Sequence, residues 1–126
     1  MIENPYKIER KPDTRDLYYV CSPLRAETKL KEQINSKKAK LYEELVAEKY
    51  DCRAIAPHSF LPKYLDDFNR EERMLAIKIG MEILATCKKL VVCGDVISEG
   101  MQTEINFAKA HGIEVIELGL TLKAGD

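Results

Sequence analysis

Four short apolar runs divide this chain, at residues 17–22, 53–56, 90–93 and 113–118, and each is separated from the next by a stretch long enough to hold a helix. Apolar runs without alternation are expected where both faces of a sheet are covered, and helix-length connections favour parallel neighbours. The chain is therefore read as α/β: a single-domain parallel sheet of four or five strands with helices on both faces. Right-handed crossovers make a flavodoxin-like order, 2-1-3-4, the simplest solution, with a switch point between strands 1 and 3. A length of 126 residues holds one such core and not two. Residues 1–16 read as an N-terminal arm, 17–118 as the α/β domain and 119–126 as a C-terminal tail.

The connecting segments carry helical patterns. Over 27–49, Leu30, Ile34, Leu41 and Leu45, with Ala39 and Val46, fall near one stripe, and Asn35-Ser36 is the weak point, where a short helix followed by a longer one is the alternative. Asn69 is the expected N-cap of a second helix, with Glu71 and Glu72 in its first turn, running through Met74, Ile77, Met81 and Leu84 to about Cys87. A third helix is expected from Ser98 or Glu99 to His111, where Gly112 stops it. Between strand 2 and the second helix lies the loop 57–69, which contains Asp66-Asp67; long loops in compact domains are commonly functional.

Composition removes several classes of partner. With 20 Lys+Arg against 21 Asp+Glu, no overall field draws the protein to a nucleic acid polymer or to an anionic membrane. Cys21, Cys52, Cys87 and Cys93 form no C-x-x-C pair and there are only two histidines, so no metal or cofactor is expected. Three of the four thiols lie in or beside strand-like runs and read as buried, reduced side chains. No apolar segment approaches the roughly 20 residues of a membrane span, and the N-terminus is polar rather than signal-like, so the expectation is a soluble cytoplasmic protein.

Open parallel sheets bind ligands at the carboxyl ends of their strands. Three connections leave that edge here, 22–25, 57–69 and 94–101, and the interesting polar residues collect on them. Glu104 has two readings, an ordinary charged residue on a helix surface or a site carboxylate at the seam of the face defined by Met101, Ile105 and Ala108. Near a helix start it should stay ionised, which suits a nucleophile or an electrostatic stabiliser. Gly100 permits close approach of a ligand to backbone N–H groups, and Ser98 either caps the helix or binds a hydroxyl. Asp95 is a turn residue or a site residue, Arg25 a solvated residue or an anion clamp, and His58 a loop residue or a site residue. His111 is explained as a cation at a helix C-terminus.

Four ordered motifs, Tyr19-Val20-Cys21-Ser22-Pro23-Leu24-Arg25, Ile55-Ala56-Pro57-His58, Pro62-Lys63-Tyr64-Leu65-Asp66-Asp67 and Gly94-Asp95-Val96-Ile97-Ser98-Glu99-Gly100-Met101-Gln102-Thr103-Glu104-Ile105, together resemble the nucleoside 2-deoxyribosyltransferase-like superfamily. They look most like a branch of small bacterial and phage proteins within it, over roughly residues 17–118. The resemblance implies a nucleoside or nucleotide site and an enzyme of N-glycosidic bonds, either a deoxyribosyltransferase or an N-glycoside hydrolase. It implies that Glu104, in the position of the family's glutamate, attacks the anomeric carbon, and that Ser22, Pro23 and Arg25 contact the sugar or a 5′-phosphate. His58, Asp66, Asp95, Ser98, Gly100 and Met101 complete the expected substrate contacts. Homo-oligomers, dimers or higher, are implied as well.

One element of the family pattern is absent. Where characterised relatives carry an aspartate shortly before the main strand, this chain has Ile79-Gly80-Met81. Asp66, Asp67, Glu71, Glu72 or Asp95 would have to supply the proton that a departing base needs, and Asp67 is the choice because its loop should overhang the site. A module of the same fold that binds or senses nucleotides without turnover is the alternative.

Overall fold

The computed structural model describes residues 11–119. Four parallel strands, β1 (Leu17–Cys21), β2 (Arg53–Ile55), β3 (Lys89–Val92) and β4 (Glu114–Glu117), form one sheet in the order β2-β1-β3-β4, as the spacing of the apolar runs predicts. Helix α1 (Lys29–Tyr50) connects β1 to β2, α2 (Arg70–Leu84) connects β2 to β3 and α3 (Glu99–Ala110) connects β3 to β4. Residues 1–10 of the expected arm and 120–126 of the expected tail lie outside the described residues.

Strand β1 divides the core into two layers, because alternate side chains leave opposite faces of a strand. Tyr18 and Val20 pack with Ala39, Tyr42 and Val46 of α1, whereas Tyr19 and Cys21 pack with Leu84 of α2 and with Met101, Ile105 and Ala108 of α3. One face thus carries α1 and the other carries α2 and α3. At about 1.5–3 kcal/mol for each large apolar side chain withdrawn from water, these two layers dominate the stability of the domain.

The helix boundaries follow local chemistry. Asn69 accepts from the Glu72 N–H at 3.1 Å and caps α2. Ser98 caps α3: its Oγ accepts from the Met101 N–H at 3.2 Å, and the Met101 sulfur accepts from the Ser98 N–H at 3.5 Å. Gly112, with φ +69°, supplies the left-handed turn after α3. Helix α2 ends at Leu84 rather than Cys87, whose N–H closes a turn on the Leu84 carbonyl.

For α1 the structure decides one alternative and corrects one expectation. The helix does not break at Asn35-Ser36, because the Asn35 amide donates to the Leu24 carbonyl at 2.9 Å and so does not compete for its own backbone. Its inward stripe is also different: Leu30, Ile34 and Leu41 are exposed, and the buried positions are Glu32, Ala39, Tyr42 and Val46. Likewise Met74 and Ile77 of α2 face outward, leaving Gly80 and Leu84 against the core.

Candidate active site at the carboxyl edge of the sheet

The loops leaving β1, β2 and β3 meet at one edge, and the site grows out of the turn that follows β1. Ser22 is 1% exposed, and its carbonyl accepts from His58 Nδ1–H at 2.9 Å, joining the first connection to the second. Since a carbonyl can only accept, Nδ1 carries the proton and Nε2 is left as an acceptor. Burial pushes the His58 imidazole below its ordinary range, so the ring is neutral at pH 7. Gly94 closes the edge from the third connection at φ +97°, with the Pro23 ring and the Tyr42 hydroxyl against the place a Cβ would occupy.

Glu104 lies in the second turn of α3 and is 6% exposed. Its Oε1 faces the Cys21 thiol at 4.0 Å, Tyr19 is its hydrogen-bonding neighbour, and Oε2 has no partner. The expectation that the helix start keeps this carboxyl ionised is corrected. Burial raises it to about 7, and the Tyr19 hydrogen bond offsets only part of that. A rise of that size corresponds to about 3 kcal/mol against the charged form, which exceeds what a dipole can return beyond the first helical turn. The reading of Glu104 as an ordinary charged residue on a helix surface does not survive its burial.

Across the β1 turn, on the α1 side, stands a second group of carboxyls. Glu32 is 8% exposed and its Oε2 is also without a partner. Burial, then the charges of Asp67 and Asp66, raise it, against Lys29 and Arg25. Burial likewise raises Asp67, whose charge is favoured by Arg25 and disfavoured by Asp66. Arg73 Nε approaches Asp67 Oδ1 at 3.8 Å. No group of metal-ligating side chains occurs among the described residues.

The other expected contacts are placed unevenly. Met101 is fully buried in the α3 layer, so it underlies the site instead of lining it. Ser98 spends its hydroxyl on the helix cap. Asp66 is exposed and accepts the Phe68 N–H at 2.9 Å, a turn contact within the loop. Arg25, Asp95 and Gly100 are exposed, and nothing lies within 4 Å of a Cβ built on Gly100. Pro23 is half-buried against Gly94. Sequence reasoning missed Tyr19, Cys21 and Glu32. The signal for Glu32 was present, since 32, 39, 42 and 46 share one helical stripe and a charge on it is anomalous.

A carboxyl like Glu104 can capture an electron-poor carbon when ionised, and one like Glu32 can give up a proton when neutral. Two open hollows lie elsewhere on the surface, about 610 Å³ beside Leu45, Lys49 and Leu118 and about 490 Å³ beside Arg15, Arg53 and Lys88, and neither is lined by Glu104 or Glu32. Among the described residues, the unpartnered buried side-chain oxygens, on Ser22, Glu32 and Glu104, belong to the carboxyl edge or the helices that open from it.

Residues 16–118 match a family described as a domain of unknown function, DUF7768. No curated protein matches the sequence significantly. Among solved structures, a 2-deoxyribosyltransferase from the psychrotolerant bacterium Bacillus psychrosaccharolyticus is similar with a TM-score of 0.59. Identity is 16%, and the alignment covers 85% of this chain and 77% of that chain, a likeness of fold.

Proposed function

This chain belongs to the DUF7768 family, and we propose that its members of this form cleave or exchange the N-glycosidic bond of a nucleoside or nucleotide. The observation that carries the reading is Glu104, a buried carboxyl with a free oxygen at the carboxyl edge of a fold shared with a nucleoside-processing enzyme. In its ionised form Glu104 attacks the anomeric carbon as the base departs, leaving a glycosyl ester that another base or water then resolves. Tyr19 steadies the carboxylate. The neutral His58 ring and the Ser22 hydroxyl face sugar hydroxyls, and Arg25 faces a 5′-phosphate where one is present. The proton for the base comes from the carboxyls on the α1 side, of which Asp67 is the member that the sequence singles out.

The exposed Phe68, Met74, Leu75 and Ile77 supply apolar surface consistent with a homo-oligomer. No described helix is long and apolar enough to cross a membrane. One observation favours the alternative of a binding or sensing module: Ile79-Gly80-Met81, where the resemblance implies an aspartate, supplies no carboxyl, and Gly80 is buried.

The test is incubation with nucleosides, deoxynucleosides and their 5′-monophosphates, with and without an acceptor base, followed by chromatography for free base. Release that disappears in Glu104→Ala supports the enzyme. Saturable binding without release favours the sensor, and release unchanged in Glu104→Ala removes Glu104 from the reaction.

A further inference from the structure

The reaction just proposed needs an acid, and the α1 side of the crevice offers a more specific one than the loop aspartate. Glu32 sits on the inward stripe of α1, one turn before Asn35, whose amide holds the Leu24 carbonyl of the β1 turn. The same turn carries Ser22, next to Cys21, which faces Glu104. Glu32 and Glu104 therefore flank one turn from opposite faces of the sheet. Both are more than nine-tenths buried, and each keeps one oxygen without a partner.

We propose that Glu32 is the proton donor to the departing base, with Asp67 a positioning residue that keeps the proton on it. This assignment rests on the N-glycosidic reading of the site. It departs from Asp67 as donor for a geometric reason: Asp67 Oδ1 has Arg73 Nε at 3.8 Å, whereas Glu32 Oε2 has no partner. Glu32 faces Asp66 and Asp67 from the loop and Arg25 from the β1 turn, with Lys29 on its own helix, and its burial is the larger influence. Burial and the two neighbouring carboxyls raise Glu32 above the ordinary carboxylate range.

The step balances. The C1′–N bond breaks and its electron pair goes to the base nitrogen, which takes the proton from the Glu32 carboxyl. C1′ forms an ester with the Glu104 carboxylate. In hydrolysis the ionised Glu32 then removes a proton from water as the oxygen bonds C1′ and the Glu104 ester opens, restoring both groups.

The experiment compares an ordinary purine nucleoside or nucleotide with its N7-methylated counterpart, whose cationic base departs without a proton. Glu32→Gln is expected to lower kcat on the ordinary substrate by on the order of 100-fold or more and on the methylated one by less than about threefold. Asp67→Asn is expected to move the alkaline limb of the wild-type profile to lower pH, because it removes a charge that keeps Glu32 protonated. Equal losses on both substrates, or none on either, overturn the donor role of Glu32 while leaving the glycosidic reading intact. No release from any substrate by the unaltered protein overturns both. Carboxyl-carbon NMR of the full chain gives a readout without turnover: Glu32 titrating in the ordinary carboxylate range, unmoved by Asp67→Asn, also overturns the assignment.

Discussion

The two ends of the strands treat charge in opposite ways. At the amino ends, Arg15 lies 2.7 Å from Asp13 and 2.9 Å from Asp51, and Lys89 lies 3.1 Å from Glu114, largely in contact with water. At the carboxyl ends, Glu32 and Glu104 are buried and unpaired. Exposed pairs are screened and add little to stability, whereas an uncompensated buried carboxyl lowers it. Perturbed, uncompensated carboxyls of this kind cluster at functional sites, so the contrast marks the carboxyl edge as the one to test.

The largest expected effect is on turnover. Glu104→Gln should cut base release by about a thousandfold or more, measured by chromatography, while Asp13→Asn leaves it unchanged. A comparable loss at Asp13 would erase the contrast.

Next is stability against pH. In the unfolded chain Glu104 titrates near 4.5, and in the folded protein near 7. Between those values the folded state binds more protons, so the stabilising effect of the raised carboxyl is complete below about pH 4.5 and lost as pH rises through about 7. Denaturant titrations should show this loss as about 3 kcal/mol for the unaltered protein. Glu104→Gln, permanently neutral, should abolish that part of the slope and be the more stable protein at pH 8. A parallel slope in the variant would mean that Glu104 is ionised and solvated after all.

A smaller change is expected at Gly94, whose φ of +97° no ordinary side chain adopts cheaply. Gly94→Ala should cost about 1–2 kcal/mol in denaturant and disturb the turn beside Pro23. The smallest belongs to the opposite edge: Asp13→Asn should leave the denaturation midpoint where it was. A clear shift there would show that the exposed ion pairs matter more than their screening allows.

Much of this was legible in the residues. Strand order followed from four apolar runs and their spacing, and Asn69 and Ser98 marked helix starts because their side chains can satisfy orphan N–H groups. The inward face of α1 was not legible from hydrophobicity. Its most apolar residues, Leu30, Ile34 and Leu41, face outward, and the sheet accepts Ala39, Tyr42 and Val46 instead. With the stripe misplaced, Glu32 looked like one more glutamate in a charged helix. The protonation of Glu104 was hidden for a different reason, since its burial depends on Tyr19 and Cys21 from a strand more than 80 residues earlier in the chain.

Gly80 closes against Tyr19 so tightly that a Cβ there would stand 3.3 Å from the phenol oxygen. Any side chain at residue 80 therefore demands room, and exchanging Tyr19 for phenylalanine is the direct way to make it. That exchange strips Glu104 of its hydroxyl neighbour. Positions 19 and 80 are therefore coupled, and a substitution at residue 80 is felt at Glu104 through the tyrosine.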